Sequence, residues 1–127
     1  MMTAEEYEDS LRQLNLKVYM FGERVENVVD NPIIRPSMNA VAKTYELAHS
    51  PEHEDLMTAQ SHLTRKQINR FTHIHQNIDD LIKKSRMGRL LGRETGCCFQ
   101  RCVGMDTLNA LSIVTYNTDQ KYGTEYY

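Results

Sequence analysis

The sequence predicts a single, mainly α-helical domain. Apolar residues recur at helical spacing in several long segments, whereas only one short segment has an extended pattern. Signals that typically start a helix precede three of the helical segments. The chain has 127 residues, with no repeat and no low-complexity tract, which is enough for one domain with a modest core.

The composition is typical of a globular domain and narrows the range of partners. Hydrophobic residues make up 40% of the chain, charged residues 25%, and the formal net charge is −2. No strong charge imbalance indicates a nucleic-acid partner, and no apolar run approaches the roughly 20 residues of a membrane span. The acidic first residues do not form a signal peptide, and three clustered cysteines argue against a disulfide scaffold. We therefore expect a cytoplasmic protein.

The first predicted element is a helix that follows a capping box. Thr3 can accept a hydrogen bond from the first turn, and Glu6 can return one, so a helix should run to about Asn15. The segment Leu16–Gly22 is predicted to be extended, with its final glycine allowing a turn. Residues 23–29 fit a short helix or an extended segment, and both alternatives stay open.

Four further helices are predicted, over residues 38–49, 51–58, 65–91 and 97–117. Ser37 is expected to cap the first of them. Ser50 is expected to cap the second, with Pro51 as its first helical residue. A polar link over residues 59–64 precedes the third helix. The fourth is the most apolar, so we expect it to be the most buried.

All three cysteines lie in one short stretch, at positions 97, 98 and 102. On the predicted last helix, Cys98 and Cys102 project from one face, with Cβ atoms about 5–6 Å apart. This separation suits two thiolates that bind different irons of one cluster, and it exceeds the roughly 3.5–4.5 Å that a disulfide needs. Cys97 points in another direction and is expected to be a small buried residue. On spacing alone, such a pair is more often two buried thiols than half of a metal site, and that alternative stays open.

Other kinds of metal site have less support in the sequence than the cysteine pair. A radical-initiating C-x3-C-x2-C motif is absent, because Met105 occupies the third cysteine position. A zinc site formed by His73, His75, Cys98 and Cys102 is not expected, because helical residues two apart point about 200° from each other.

Cations gather in the carboxyl half of the predicted third long helix, at Lys83, Lys84, Arg86, Arg89 and Arg93. Cations near the carboxyl end of a helix complement its dipole, so a solvated basic end is the simpler interpretation. The alternative is that these cations bind a phosphate or carboxylate group.

Several blocks of the sequence resemble one enzyme superfamily. The blocks are Thr3–Tyr7, Ser10–Arg12, Val18–Asn27, Asn31–Ser37 and Thr44–Ala48. They are similar to the start of the 4-hydroxyphenylacetate 3-hydroxylase / 4-hydroxybutyryl-CoA dehydratase superfamily.

Three later blocks, Arg89–Gly92, Cys98–Asp106 and Asp119–Thr124, resemble the dehydratase branch of that superfamily. The flavin monooxygenases share the opening blocks but carry no cluster, so the cysteine block is the more specific signal. The resemblance covers essentially the whole chain. It implies that residues 1–127 are the helical amino-terminal domain of an acyl-CoA dehydrogenase-like fold, without the β middle domain and the carboxyl-terminal helical bundle.

The resemblance also implies an activity and its cofactors. The family comprises lyases and isomerases that convert 4-hydroxybutyryl-CoA to crotonyl-CoA and isomerise vinylacetyl-CoA to the same product. The implied cofactors are FAD and a [4Fe–4S] cluster held by three cysteines and one histidine, and the implied assembly is a homotetramer. Carried over to this sequence, Cys98 and Cys102 are two of the cluster ligands. Arg89 and Gln100 are implied to make polar contacts near the cluster and substrate.

The remaining ligands lie, in the family, in parts that this chain does not contain. None of the five histidines here is expected to fill the vacant position. We therefore expect a fragment, or one product of a split gene, that is inactive alone and holds neither cofactor completely. One alternative is a non-catalytic helical module that pairs with a separately encoded partner. Another is a domain of a flavin-dependent 4-hydroxyphenylacetate-type monooxygenase, which the cysteine pair disfavours. None of these hypotheses involves nucleic acid or a membrane.

Overall fold

The computed structural model describes residues 1–99 and 101–127, and these residues are mainly helical, as predicted. Its α-helices are α1 (Ala4–Gln13), α2 (Arg35–Ala48), α3 (Glu54–Met57), α4 (Ile78–Thr95) and α5 (Cys102–Tyr122). Two antiparallel hairpins are formed by β1 (Val18–Met20) with β2 (Glu23–Val25), and by β3 (Thr58–Gln60) with β4 (Gln67–Asn69). A 3-10 helix, Arg70–Thr72, follows β4 directly. Among the described residues, no helix combines the length and apolar character needed to cross a bilayer.

The capping box at the start of α1 is confirmed. Thr3 Oγ1 accepts a hydrogen bond from the Glu6 backbone N–H at 3.1 Å, and the Thr3 N–H donates to Glu6 Oε2 at 2.8 Å. The ring of Tyr7 stacks on that of Tyr45 with centroids 4.8 Å apart. This contact fixes α1 against α2.

The first hairpin confirms the extended prediction and resolves the alternative for residues 23–29 in favour of a strand at their start. Val18 pairs with Val25, and Met20 pairs with Glu23. Phe21 and Gly22 form the turn, both with positive φ, at 52° and 86°. Two positive φ values in a two-residue turn match the right-handed twist of the paired strands.

The core lies where α2, α3, α4 and the amino-terminal part of α5 meet around the 3-10 helix. Its buried members are Leu47, Ala48, Met57, Phe71, Met87, Leu91 and Met105. Ser37 does not cap α2, because the helix begins two residues earlier, at Arg35. Pro36 fits this first turn because backbone N–H groups there have no helical partner.

The prediction of a continuous helix over residues 65–91 is wrong in its first half. Residues 67–72 form β4 and the 3-10 helix, and α4 begins only at Ile78. The guanidinium of Arg70 donates to the backbone carbonyls of Leu56 in α3 and Thr58 in β3, so contacts with earlier elements override the local helical pattern. Asn77 then caps α4, its Oδ1 accepting from the Asp80 N–H at 3.0 Å.

The last helix differs from the prediction in both position and burial. It begins at Cys102 rather than near Cys97, and Met105 alone among its residues is buried. Several large apolar side chains are exposed along it: Val103, Leu111, Ile113, Val114 and Tyr116. The apolar composition of α5 therefore does not reflect burial within this chain.

Candidate functional site

The cysteine segment connects α4 to α5 and is not helical over its first residues. Gly96 ends α4 in the left-handed conformation, at φ 62°, and its N–H donates to the Gly92 carbonyl at 3.1 Å. Arg101 is the N-cap of α5. Cys98 and Cys102 consequently do not share a helix, and the prediction that they project from one helical face is wrong. A left-handed C-cap stops the helix, and glycine adopts this conformation at little cost.

The thiols of the segment differ in exposure. Cys97 and Cys98 are exposed, whereas Cys102 is half-buried at the start of α5. The expectation that Cys97 is a small buried residue is wrong, since the chain has left α4 before it. Both predicted ligand thiols therefore have solvent-accessible surface in this chain.

Arg101 is inserted between two aromatic rings. Its Cζ lies 4.6 Å from the ring centroid of Tyr45 and 4.4 Å from that of Phe71. Its Nη1 donates to Oγ1 of the buried Thr44 at 2.8 Å. Burial lowers the pKa of Arg101, and the opposing effects of Tyr45 and Tyr7 do not cancel it. An arginine still carries its charge in such an environment, so a cation lies next to Cys102.

Phe99 contacts the same part of the core. Its ring centroid is 5.7 Å from that of Phe71, at an interplanar angle of 54°. Phe99 and Arg101 thus both dock on Phe71. The side chain of Cys98, which precedes Phe99, is exposed.

The structure says less about the other two predicted site residues, Arg89 and Gln100. Arg89 is exposed on α4, and in the described part of the chain no carboxylate lies within ion-pair distance of it. Gln100 lies outside the described residues. The structure therefore places Arg89 on the helix before the cysteine segment.

The basic end of α4 is partly neutralised. Lys83 Nζ lies 3.1 Å from Asp55 Oδ1, and Lys84 pairs with Asp106 of α5. The arginines of the group are exposed, as a solvated basic end predicts.

A second polar cluster surrounds Asp80. Its Oδ2 lies 3.1 Å from His73 Nε2, and its Oδ1 lies 3.4 Å from Arg70 Nη1. The cluster lines a polar cleft of about 520 Å³. The sequence offered one signal for it, because Asn77 followed by two aspartates is a typical helix start.

Metal-binding geometry is not assembled within the described residues. Across residues 1–99 and 101–127, no group of three or more His, Cys, Asp and Glu side chains is placed to hold a metal ion. The rings of His73 and His75 have centroids 6.2 Å apart, in an edge-to-face arrangement. The cysteine pair is thus not supplemented by further ligands from the described residues.

Sequence reasoning missed the docking of Arg101. The available signal was that Arg101 is the only charged residue between Gly96 and Met105. A single charge in an otherwise uncharged segment is either exposed or held by a particular partner. The aromatic and hydroxyl partners on α2 lie more than 50 positions away and have no local signature.

The family model described as 4-hydroxyphenylacetate 3-hydroxylase N terminal matches residues 3–127. The chain belongs to this family. The chain is 61% identical over 127 residues to the 4-hydroxybutyryl-CoA dehydratase/vinylacetyl-CoA-Δ-isomerase of Clostridium aminobutyricum, and the match covers 100% of this chain and 26% of that protein.

A more distant relative is the oxygenase component of 4-hydroxyphenylacetate 3-monooxygenase from Escherichia coli. It is 33% identical over 84 residues, which are 62% of this chain and 15% of that protein. The resemblance to the dehydratase branch of the 4-hydroxyphenylacetate 3-hydroxylase family is therefore confirmed as the stronger one.

Comparison with solved structures likewise gives a stronger match to a dehydratase than to a monooxygenase component. An oxygen-tolerant archaeal 4-hydroxybutyryl-CoA dehydratase from N. maritimus superposes with a TM-score of 0.92 at 50% identity, covering 98% of this chain and 24% of that chain. The oxygenase component of 4-hydroxyphenylacetate 3-monooxygenase, complexed with FAD, superposes with a TM-score of 0.64 at 22% identity, covering 74% of this chain and 19% of that one. The second likeness shows the fold alone. The chain spans about a quarter of the length of the dehydratases it matches.

Proposed function

We propose that residues 1–127 form the helical amino-terminal domain of a 4-hydroxybutyryl-CoA dehydratase that also isomerises vinylacetyl-CoA. The observation that carries this proposal is the 61% identity to such an enzyme across the entire chain, which includes the cysteine segment. The complete enzyme would have an acyl-CoA dehydrogenase-like fold, contain FAD and assemble as a homotetramer. Its substrate would be 4-hydroxybutyryl-CoA.

Cys98 and Cys102 fit two ligand positions of a [4Fe–4S] cluster. Iron–sulfur clusters are held chiefly by thiolates, and both side chains have solvent-accessible surface. The described residues add no further ligand, so the other two would come from the rest of the enzyme. When bound, the cluster would supply an iron that acts as a Lewis acid toward the leaving hydroxyl, and FAD would supply one-electron chemistry that makes the β-proton acidic.

Arg89 and Gln100 would make polar contacts near this site. The guanidinium of Arg89 is exposed and has no ion-pair partner among the described residues. It is therefore available to a carbonyl or carboxylate oxygen of a ligand. Its position on α4 precedes the cysteine segment in the chain, so ligand contacts at Arg89 and at the thiols could be made by neighbouring elements.

The 127-residue chain alone is expected to be inactive. It supplies two of the four cluster ligands, and a cluster held by two side chains would be exposed and labile. Assays of the purified chain with 4-hydroxybutyryl-CoA should therefore show no turnover, whereas measurable crotonyl-CoA would contradict this part of the proposal.

The decisive experiment measures iron and acid-labile sulfide in protein purified without oxygen, together with its intact mass. A polypeptide several times longer than this chain should contain about four irons and four sulfides. Cys98→Ser and Cys102→Ser should each lose most of the iron. The matched variant Cys97→Ser should keep it. Retention of the cluster in the Cys98→Ser/Cys102→Ser double variant would refute the ligand assignment.

A separate interaction module is the second candidate, and the exposed apolar side chains of α5 favour it. Large exposed apolar patches usually mark a surface that another protein covers. Concentration-dependent assembly with a separately encoded polypeptide, in a protein without iron, would support this candidate. Stoichiometric iron with acid-labile sulfide would instead exclude a flavin monooxygenase domain.

A further inference from the structure

We propose that Arg101 is a positioning residue that holds Cys98 and Cys102 in the orientation that a cluster requires. This inference rests on the proposed function of the two thiols. It assigns to Arg101 the role of fixing the segment that carries them, by docking its side chain on α2 and the 3-10 helix.

The segment needs such an anchor because its backbone has little regular support. α4 ends at Thr95 and α5 begins at Cys102. No strand pairs with the described residues between them. A metal site, however, requires its ligands to be held within about 0.5 Å of the productive geometry. Side chains that dock on a rigid surface can supply this precision where a hydrogen-bonded ladder does not.

The anchor is formed by three contacts that leave the guanidinium little freedom. The rings of Tyr45 and Phe71 lie 4.6 and 4.4 Å from Arg101 Cζ. Oγ1 of Thr44 accepts from Nη1 at 2.8 Å, and the same hydroxyl donates to the Val41 carbonyl at 2.6 Å. Since Thr44 is completely buried in α2, the acceptor is rigid. An arginine suits this position because its planar group stacks on rings and donates in its own plane.

Docking of Arg101 also determines where the thiols point. Phe99 and Arg101 both contact Phe71, so a residue next to each thiol is docked on the core. Cys98, which precedes Phe99, is exposed, while Cys102 follows Arg101 directly at the start of α5. The two thiols therefore flank the two docked residues in the sequence.

The charge of Arg101 is consistent with an anionic group nearby. Among the described residues, no carboxylate lies within ion-pair distance of the guanidinium, and its desolvation is offset only by rings and a hydroxyl. A desolvated cation without a counter-charge is unfavourable unless an anion binds close to it. A cluster held by thiolates carries negative charge and would lie beside the residue that follows Arg101.

The first measurement uses metal-free protein and site-resolved alkylation of the cysteines followed by mass spectrometry. Arg101→Met keeps the length of the side chain but removes its charge and donors. It should raise the alkylation rate of half-buried Cys102 relative to exposed Cys97 by roughly tenfold, the factor that corresponds to about 1.4 kcal/mol. Arg101→Lys should recover only part of this change, because an ammonium group lacks the planar fork. Full recovery by lysine would show that a point charge is sufficient, and it would overturn the proposed anchoring role of the Arg101 guanidinium.

Two matched variants separate positioning from general effects. Arg24→Met removes an exposed arginine of β2, far along the chain from the cysteines, and should leave the ratio unchanged. Met57→Ala creates a cavity at a completely buried core position and reports the effect of lost stability alone. If Met57→Ala raised the Cys102 rate as much as Arg101→Met does at an equal loss of melting temperature, the inference would fail.

The second measurement uses the protein purified with its iron. Arg101→Met should lower the iron content or change the electron paramagnetic resonance spectrum of the cluster, while Arg24→Met should not. An unchanged spectrum and an unchanged alkylation ratio in Arg101→Met would overturn the inference and leave the ligand assignment intact. A wild-type protein without iron would overturn the proposed function, while the alkylation ratio would still decide whether Arg101 orders the segment.

Discussion

Asn109 joins α5 to the loop before α4, its Oδ1 accepting a hydrogen bond from the backbone N–H of His75 at 2.8 Å. The Nδ2 of the same amide donates to the His73 carbonyl at 3.1 Å and to the Met105 carbonyl at 3.0 Å. One side chain therefore satisfies three backbone groups. Because few residues of α5 contact the rest of the chain closely, this amide is a principal link between α5 and the core.

Asn109→Leu should lower the free energy of unfolding by about 2 kcal/mol, because partly buried backbone groups of His73 and His75 lose their partner. Urea denaturation followed by circular dichroism measures the change. Asn39→Leu, at an exposed position of α2, is the matched control and should change stability by less than about 0.5 kcal/mol. Equal effects of the two substitutions would show that the Asn109 bonds contribute nothing to stability.

The ion pair between Arg70 and Asp80 should make stability depend on pH. Burial acts to raise the pKa of Asp80, but hydrogen bonds from the Gln76 N–H and from His73, with the charge of Arg70, outweigh it and hold the pKa below its usual value. A carboxylate with a depressed folded-state pKa stabilises the fold above its unfolded pKa, near 4, and this stabilisation is lost as the pH falls through the folded value.

Asp80→Asn should accordingly cost about 3 kcal/mol at pH 7, since it leaves the buried Arg70 without its counter-charge. The difference from wild type should shrink as the pH is lowered below about 4. Urea denaturation at a series of pH values tests this. Asp79→Asn, which changes an exposed carboxylate in the same helical turn, should show neither effect. A pH-independent cost for Asp80→Asn would contradict the electrostatic explanation.

Local sequence signals were sufficient for the elements whose stabilising bonds are local. The capping box of Thr3 and Glu6 is made within four residues, and the turn at Gly22 needs only a positive φ. Both were predictable for that reason. The conformation of residues 67–77, which form a strand, a 3-10 helix and a loop instead of an α-helix, was not, because Arg70 bonds to carbonyls 12 and 14 positions earlier. Periodicity reports which residues are apolar, but not which distant backbone atoms need a donor.

The candidate site, too, was predictable only where local sequence signals determine it. The pair Cys98 and Cys102 was identifiable from composition and spacing, and their role as ligands stays a prediction. Their geometry was not predictable, because Gly96 ends α4 and Arg101 docks on Thr44, 57 positions away. The exposure of α5 was missed for a related reason: an apolar helix is equally compatible with a core inside the chain and with a surface that another polypeptide covers.

Gly88 inside α4 and Gly96 at its C-cap should respond oppositely to substitution by alanine. Gly96 has φ 62°, which an L side chain adopts only with strain, so Gly96→Ala should lower stability by about 1 kcal/mol. Gly88 lies inside the helix, and no atom lies within 4 Å of an added Cβ, so Gly88→Ala should raise stability by up to about 1 kcal/mol. Thermal unfolding measured by calorimetry compares them. Stabilisation by Gly96→Ala would show that α4 does not end in the left-handed conformation.

The exposed apolar side of α5 should drive self-association of the chain. Leu111 and Val114 are 57% and 59% exposed, although both are apolar. The double substitution Leu111→Glu/Val114→Glu takes the formal net charge from −2 to −4 and should shift the chain toward the monomer in sedimentation velocity. Since neither side chain packs in the core, the free energy of unfolding should change by less than about 1 kcal/mol.

Met105→Ala is the control for a residue of α5 that does pack internally. Met105 is 3% exposed and belongs to the core cluster, so its truncation should cost roughly 2–5 kcal/mol. This contrast tests whether α5 is held by its amino-terminal turns alone. If the double glutamate variant unfolded as readily as Met105→Ala, then Leu111 and Val114 would pack within the chain, and the apolar side of α5 would not be a surface for a second polypeptide. If its association state equalled that of the wild type, self-association would depend on other residues.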